Sequence, residues 1–125
     1  MIGVLVAGFL IAHGLLHPGI WAAPVPADRF RFDPGRSWAL TAVHASAAPA
    51  RAAALALAWY TALLYVVAGA GAAVSSGWWP GVAIVAASSG LALKALWFHP
   101  WLAVGVLLDV GAVVAVICSW PGSLH

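Results

Sequence analysis

Charge is what this chain lacks. Glutamate is absent, acidic residues number three, and Lys plus Arg number five among 125 residues. Charged residues are 6% of the chain and hydrophobic ones 65%. A soluble domain carries about 25% charged residues. This chain cannot clothe itself for water, so the medium it fits is lipid. A net charge of +2 with histidines neutral is too small and too local for a nucleic-acid footprint, which excludes that partner. The single cysteine, Cys118, excludes an intrachain disulfide and a CxxC redox pair. No Walker, dinucleotide-binding or GxSxG motif occurs. No nucleophile–base pair or phosphate cradle is placed, so no catalytic residue and no reaction is assigned. The period-two alternation of a membrane barrel is missing. Lys and Arg are also missing ahead of the first apolar run, MIGVLVAGFLIA. That run is expected to stay as a helix and not to be cleaved as a signal peptide.

What the chain does have is four apolar stretches and a mean hydropathy of +1.04. A spanning helix needs about 20 apolar residues, and in hydrocarbon the backbone must satisfy itself. The pattern predicts helices at about 2–20, 50–74, 81–98 and 100–120. The fold class expected is all-α: an integral membrane, antiparallel four-helix bundle in one transmembrane domain over residues 1–125. The third and fourth helices meet through His99-Pro100, which predicts a tight hairpin with Pro100 at a first helical position. The only long connection is 21–49. Pro24, Pro26 and Pro34 disfavour helix in its first half. Ser37 is placed to cap a short interfacial helix from Trp38 towards Ala48, before Pro49 kinks it or separates it from the second span. Arg29-Phe30-Arg31-Phe32 reads as a solvated loop touching headgroups. Lipid-binding clusters usually hold about 4–8 basic residues, more than are here.

Arg29, Arg31, Arg36, Arg51 and Lys94 fall on one side of a four-span topology. The positive-inside rule puts loop 21–49 in the cytoplasm and both termini outside, in the inner (cytoplasmic) membrane. Trp21, Trp97 and Trp101, with Trp38 nearby, mark one boundary; Trp78, Trp79 and Trp120 mark the other. Trp59 fits neither belt; it falls mid-span and is expected simply to pack.

Polar residues at membrane depth are the candidates for function. His13 and His17, at i and i+4, share one helix face, the spacing by which one helix offers two metal ligands. Gly14 stands where a zinc protease has Glu, so metal-assisted proteolysis is unsupported. Further ligands would come from His44, His99 or Asp109. Asp109 lies about 13 Å along the fourth helix. There an ionised carboxylate costs about 2.5–3.5 kcal/mol and should be paired or protonated. His13 lies about as deep from the same face, so a His13–Asp109 contact is expected. Gly105 and Ala112 share the face of Asp109. Ala83, Ala87, Gly90 and Lys94 form a stripe that should face inward. Lys94 either reaches Asp109 or, as expected of a lysine five residues from the helix end, snorkels to the interface. Arg51, Ala54, Ala58, Thr61 and Tyr65 form a second stripe, whose Thr61 and Tyr65 hydroxyls suit bonds between helices. Ser88 and Ser89 are equally open to such bonds.

AHGLLHPGIW at 12–21, the Pro49-x-Arg51 step, Trp59, Ser88 and Ser89, Trp97 and a single polar residue in the last helix form a pattern. It resembles a family of small bacterial four-transmembrane-helix proteins with an HGxxH first-helix motif. In that family the last polar residue is often Asn where this chain has Asp109, and the Gly-Phe after the second His is replaced by Pro18-Gly19-Ile20. The resemblance implies the four-helix membrane fold. That family has no established activity, so it lends no mechanism.

Three functional readings follow. The first is a non-catalytic accessory subunit, bound to a larger membrane complex or to copies of itself; small-residue stripes and sparse polar groups fit it. The second is an intramembrane site built on His13 and His17 with Asp109, Tyr65 or His99, holding a metal, haem, quinone or other lipophile. The third is movement of protons or ions through the Asp-His-Lys set. Small multidrug exporters of this size rest on a first-helix glutamate, which this chain does not contain.

Overall fold

Twenty residues without a charge open the chain, and in the computed structural model they form helix α1 (Ile2–Trp21). The structure describes residues 1–23 and 32–125. Pro24, Pro26, Arg29, Phe30 and Arg31, and the headgroup-loop reading built on them, lie outside the described residues. The other helices are α2 (Trp38–Ala42), α3 (Ala47–Ala73), α4 (Trp79–Leu96) and α5 (Ala103–Ile117). Single 3-10 turns at Pro100–Leu102 and Gly122–Leu124 complete the described elements, none of which is a strand. Four of the helical segments are long and apolar enough to cross a membrane: Ile2–Trp21, Ala47–Ala73, Trp79–Leu96 and Pro100–Ile117.

The helix ends follow local chemistry. The Oγ of Ser37 accepts from Leu40 N at 3.3 Å and so caps α2. This helix is shorter than expected, because His44 takes φ 59° and turns the chain before Ala48. Pro49 does not break the next helix either. It sits in the first turn of α3, behind Ser46 at the N-cap, where no N–H is required. The helix after His99 begins as a 3-10 turn and is α-helical only from Ala103. It ends at Ile117, ahead of Ser119 at φ 51°.

α3 packs against α1 on one side and α4 on the other, and α5 packs on α4. Alanine lets these helices approach closely: Ala54, Ala58, Ala68, Ala72, Ala86 and Ala87 have no exposed surface. Two apolar clusters result. One gathers Leu10, Tyr65, Ala68, Trp79 and Ala83; the other gathers Trp21, Ala58, Leu93, Trp97 and Leu102. Along α1, His13 and His17 lie between Leu10 of the first cluster and Trp21 of the second.

The connection before α3 is pinned to the end of α4. The Oγ of Ser37 donates to Leu96 O (2.6 Å) and Trp38 Nε1 to Ala95 O (2.6 Å), while Trp97 Nε1 donates to Pro34 O (2.8 Å). Two carbonyls that α4 leaves without an intrahelical donor thereby find partners. Tryptophan departs from the expected pattern. Trp21, Trp79 and Trp97, expected at the boundaries, are buried packing groups, whereas mid-span Trp59 is 59% exposed on the outer face of α3. Its neighbour Ala58 takes the inward position; one step along a helix turns a residue about 100° away.

Candidate functional site

Asp109 is the one fully buried residue of α5, and its carboxylate gathers groups from three other helices. Its Oδ1 accepts from Tyr65 Oη of α3 at 2.5 Å and from His13 Nε2 of α1 at 2.8 Å. Its Oδ2 accepts from Lys94 Nζ of α4 at 2.7 Å. Lys94 Nζ also donates to His17 Nε2 at 2.8 Å. The expected His13–Asp109 contact is therefore present. Lys94 does not snorkel: it turns inward, is 4% exposed, and pairs with Asp109 and His17 together.

The sequence arranges this locally. Pro18 has no N–H for the carbonyl of Gly14 four residues back. His17 covers that gap, its Nδ1 lying 3.1 Å from His13 O and 3.3 Å from Gly14 O. Nδ1–H of His17 therefore donates, and its Nε2 is left to accept from Lys94. On His13 it is Nε2–H that donates to the carboxylate.

Glycines make the room. A Cβ on Gly14 would run into the side chain of Tyr65, one on Gly90 would lie 2.6 Å from Asp109 Oδ2, and one on Gly105 would lie 2.6 Å from Lys94 Cε. His13 is also held by rings: Phe9 stacks on it at 5.8 Å with planes 2° apart, and Tyr65 meets it edge-on at 5.0 Å. Sequence reasoning missed Phe9 and the clearance at Gly14. The i, i+4 spacing of Phe9 from His13 was the available signal for the first.

The other candidates lie apart. Thr61 Oγ1 and Ser89 Oγ share a hydrogen bond of 2.6 Å between α3 and α4, outside the carboxylate cluster. His44 is exposed, and His99 Nδ1 accepts from Trp101 N at 3.2 Å. Arg51 leaves its stripe to reach Asp33 at 3.4 Å. The metal-ligand expectation for His13 and His17 meets a specific geometry. Ligand atoms of His13, His17 and Asp109 lie within 4.8 Å of one another. The Lys94 ammonium, bonded to both His17 and Asp109, fills the position a cation would take between them.

α1 and α5 scarcely meet through their backbones, and two cavities run along the seam between them. The wider, about 430 Å³, is lined by Leu5, Phe9, Trp79, Leu107, Gly111 and Trp120 among others. The narrower, about 150 Å³, is lined by His13, His17, Ile20, Lys94, Trp101 and Gly105 among others. Leu108 lines both. One buried side-chain atom among the described residues has no partner, Nδ1 of His13. No protein-family model, no curated protein and no solved structure matches this chain.

Proposed function

We propose that this chain is a multi-pass protein of the bacterial inner membrane, an antiparallel four-helix bundle whose α1–α5 seam binds a lipophile taken laterally from the bilayer. The single observation that carries this reading is the narrow cavity on the seam, whose wall includes His13, His17 and Lys94. Two further facts support it. Buried ion pairs hold helices together no better than apolar packing of equal volume, so a quintet of polar groups at one level calls for a task beyond adhesion. The aromatic plug of Trp21, Phe32 and Trp97 covers the end of the cluster nearest the α1–α3 connection, which leaves the seam as the way in. The site binds and carries out no assigned reaction.

The accessory-subunit reading keeps one observation of its own. α5 buries only Asp109 and turns Val104, Leu107, Val110, Val114 and Ile117 outward. Lipid covers that face in a solitary protein; a partner helix covers it in a complex. Kinship with the HGxxH family belongs to the same proposal and rests on the residues quoted for it.

The test is extraction. The full chain is purified in mild detergent and its organic extract is examined by mass spectrometry. The expected result is one lipophile at about one molecule per chain, lost from Gly111→Phe. Gly111 lines the wide cavity and its side-chain direction is open space, so phenylalanine fills the cavity without disturbing the helix contacts. An extract no richer in any one lipid than the surrounding membrane rejects the proposal.

A further inference from the structure

The seam limits its occupant in four ways, granted the lipophile reading above on which this step rests. The first is polarity. Every side chain in the wall of the wider cavity is apolar or an indole, among them Leu5, Phe9, Leu107 and Val116. The indole N–H of Trp79 is already given to Leu124 O. A polar group without a partner is costly in such surroundings, so this part of the occupant is hydrocarbon. The second is volume. A cavity of about 150 Å³ holds benzene, with its six carbons. The wider cavity measures about 430 Å³. On the same scale it takes about 17 carbons, which is one long chain and not two. The third is the size of the group that ends the chain. Leu108 lines both cavities, and the narrower measures about 150 Å³, room for a group no larger than one small ring. The fourth is charge. Lys94 and His17 stand in the wall of the narrow cavity, but their nitrogens are engaged within the protein. Lys94 Nζ is bonded to Asp109 Oδ2, His17 Nε2 and Gly90 O, and His17 Nδ1 to His13 O. A charged head finds no free counter-charge there and would have to break a buried pair to gain one.

We infer that the seam takes an uncharged lipophile with a single chain of about 16–18 carbons and a small terminal group such as a primary alcohol. The chain lies in the wide cavity and the terminal group in the narrow one. A two-chain phospholipid carries too much hydrocarbon for the first and too large a headgroup for the second. A fatty-acid carboxylate carries a charge that the site does not balance.

The test is a competition on the full chain, delipidated in mild detergent and loaded with tritiated hexadecan-1-ol. The competitors are decan-1-ol, docosan-1-ol, hexadecanoate at alkaline pH and dipalmitoyl phosphatidylglycerol. Unlabelled hexadecan-1-ol is expected to displace the label at about tenfold lower concentration than any of them, because a shorter chain leaves space unfilled and a longer one is crowded out. Gly111→Phe, which fills the wide cavity, should erase the preference; should that variant fail to fold, the series on the natural chain decides alone. Equal affinity for all three alcohols, or affinity that keeps rising to docosan-1-ol, overturns the assignment. So does hexadecanoate or the phospholipid competing as well as hexadecan-1-ol. In each of these cases the label has bound and the lipophile reading stands. A label that does not bind, with a lipophile of another class in the extract, overturns the assignment alone. A label that does not bind and an unenriched extract overturn both.

Discussion

At the scale of single residues, the pairing of Lys94 with Asp109 dominates. Both are buried, 2.7 Å apart, and removing one partner of such a pair leaves an uncompensated charge at a cost of about 3–5 kcal/mol. Lys94→Met should therefore destabilise the chain by about that amount in reversible unfolding from mixed micelles. Lys94→Met combined with Asp109→Leu removes the stranded carboxylate, and the double variant should recover about 2 kcal/mol or more of the loss. Additive losses would mean that the two side chains are not coupled. Lys94 carries a second expectation. Its ammonium lies between His17 and Asp109, so Lys94→Ala vacates a point beside one imidazole and a carboxylate, with a ligand atom of His13 within 4.8 Å of theirs, a donor set that suits zinc. That variant should bind about one zinc per chain by elemental analysis after dialysis, and the natural chain, whose position is filled, should bind none. Equal zinc in both would show that the ammonium does not guard the position.

At the scale of elements, the contact of α1 with α3 turns on one missing methyl group. A Cβ on Gly14 meets the Cβ of Tyr65, an atom fixed to its backbone, and also approaches Ala62 O at 3.3 Å. Gly14→Ala must then push the helices apart, which costs about 1–3 kcal/mol and draws His13 and Tyr65 off Asp109. Gly19, five residues further along α1, has nothing within 4 Å of its Cβ direction. Gly19→Ala should be neutral or stabilising by up to about 1 kcal/mol. Thermal unfolding of the two variants side by side makes the comparison, and similar melting points would deny that α1 and α3 touch at Gly14. These contacts also show what the sequence could and could not convey. The helix stripes Ala83, Ala87, Gly90, Lys94 and Ala54, Ala58, Thr61, Tyr65 were legible, because helical periodicity alone decides which residues share a face, and the structure buries them together. The meeting of His13 with Asp109 was legible from depth along two helices. The direction taken by Lys94 was not. Its choice depends on the hollow over Gly105 and on the acceptor nitrogen of His17, facts of tertiary clearance and tautomer that no local pattern contains.

At the scale of the whole molecule, charge and packing are divided between two ends. At one end Asp33, Arg36 and Arg51 interact, and the segment from Pro34 to Trp38 is fastened over the last carbonyls of α4. At the other end Trp79 Nε1 donates to Leu124 O at 3.2 Å, tying the C-terminal turn to the start of α4, and the described residues there include no Lys or Arg. Arginine crosses a membrane at high cost, and basic loops are retained on the cytoplasmic side. The first end should therefore face the cytoplasm and the C-terminal turn should face outward. Cysteine accessibility reads this directly. The native Cys118 is exposed and is replaced by serine, after which Ser123→Cys or Arg36→Cys supplies one thiol at either end. In intact cells a membrane-impermeant maleimide should label the thiol at 123 and reach the thiol at 36 only after permeabilisation. The two fates follow from one charge distribution, so they must reverse together if the orientation is wrong. Labelling of both thiols in intact cells would be the graver result, since it would mean that no bilayer separates the two ends and that the helices are not arranged across a membrane.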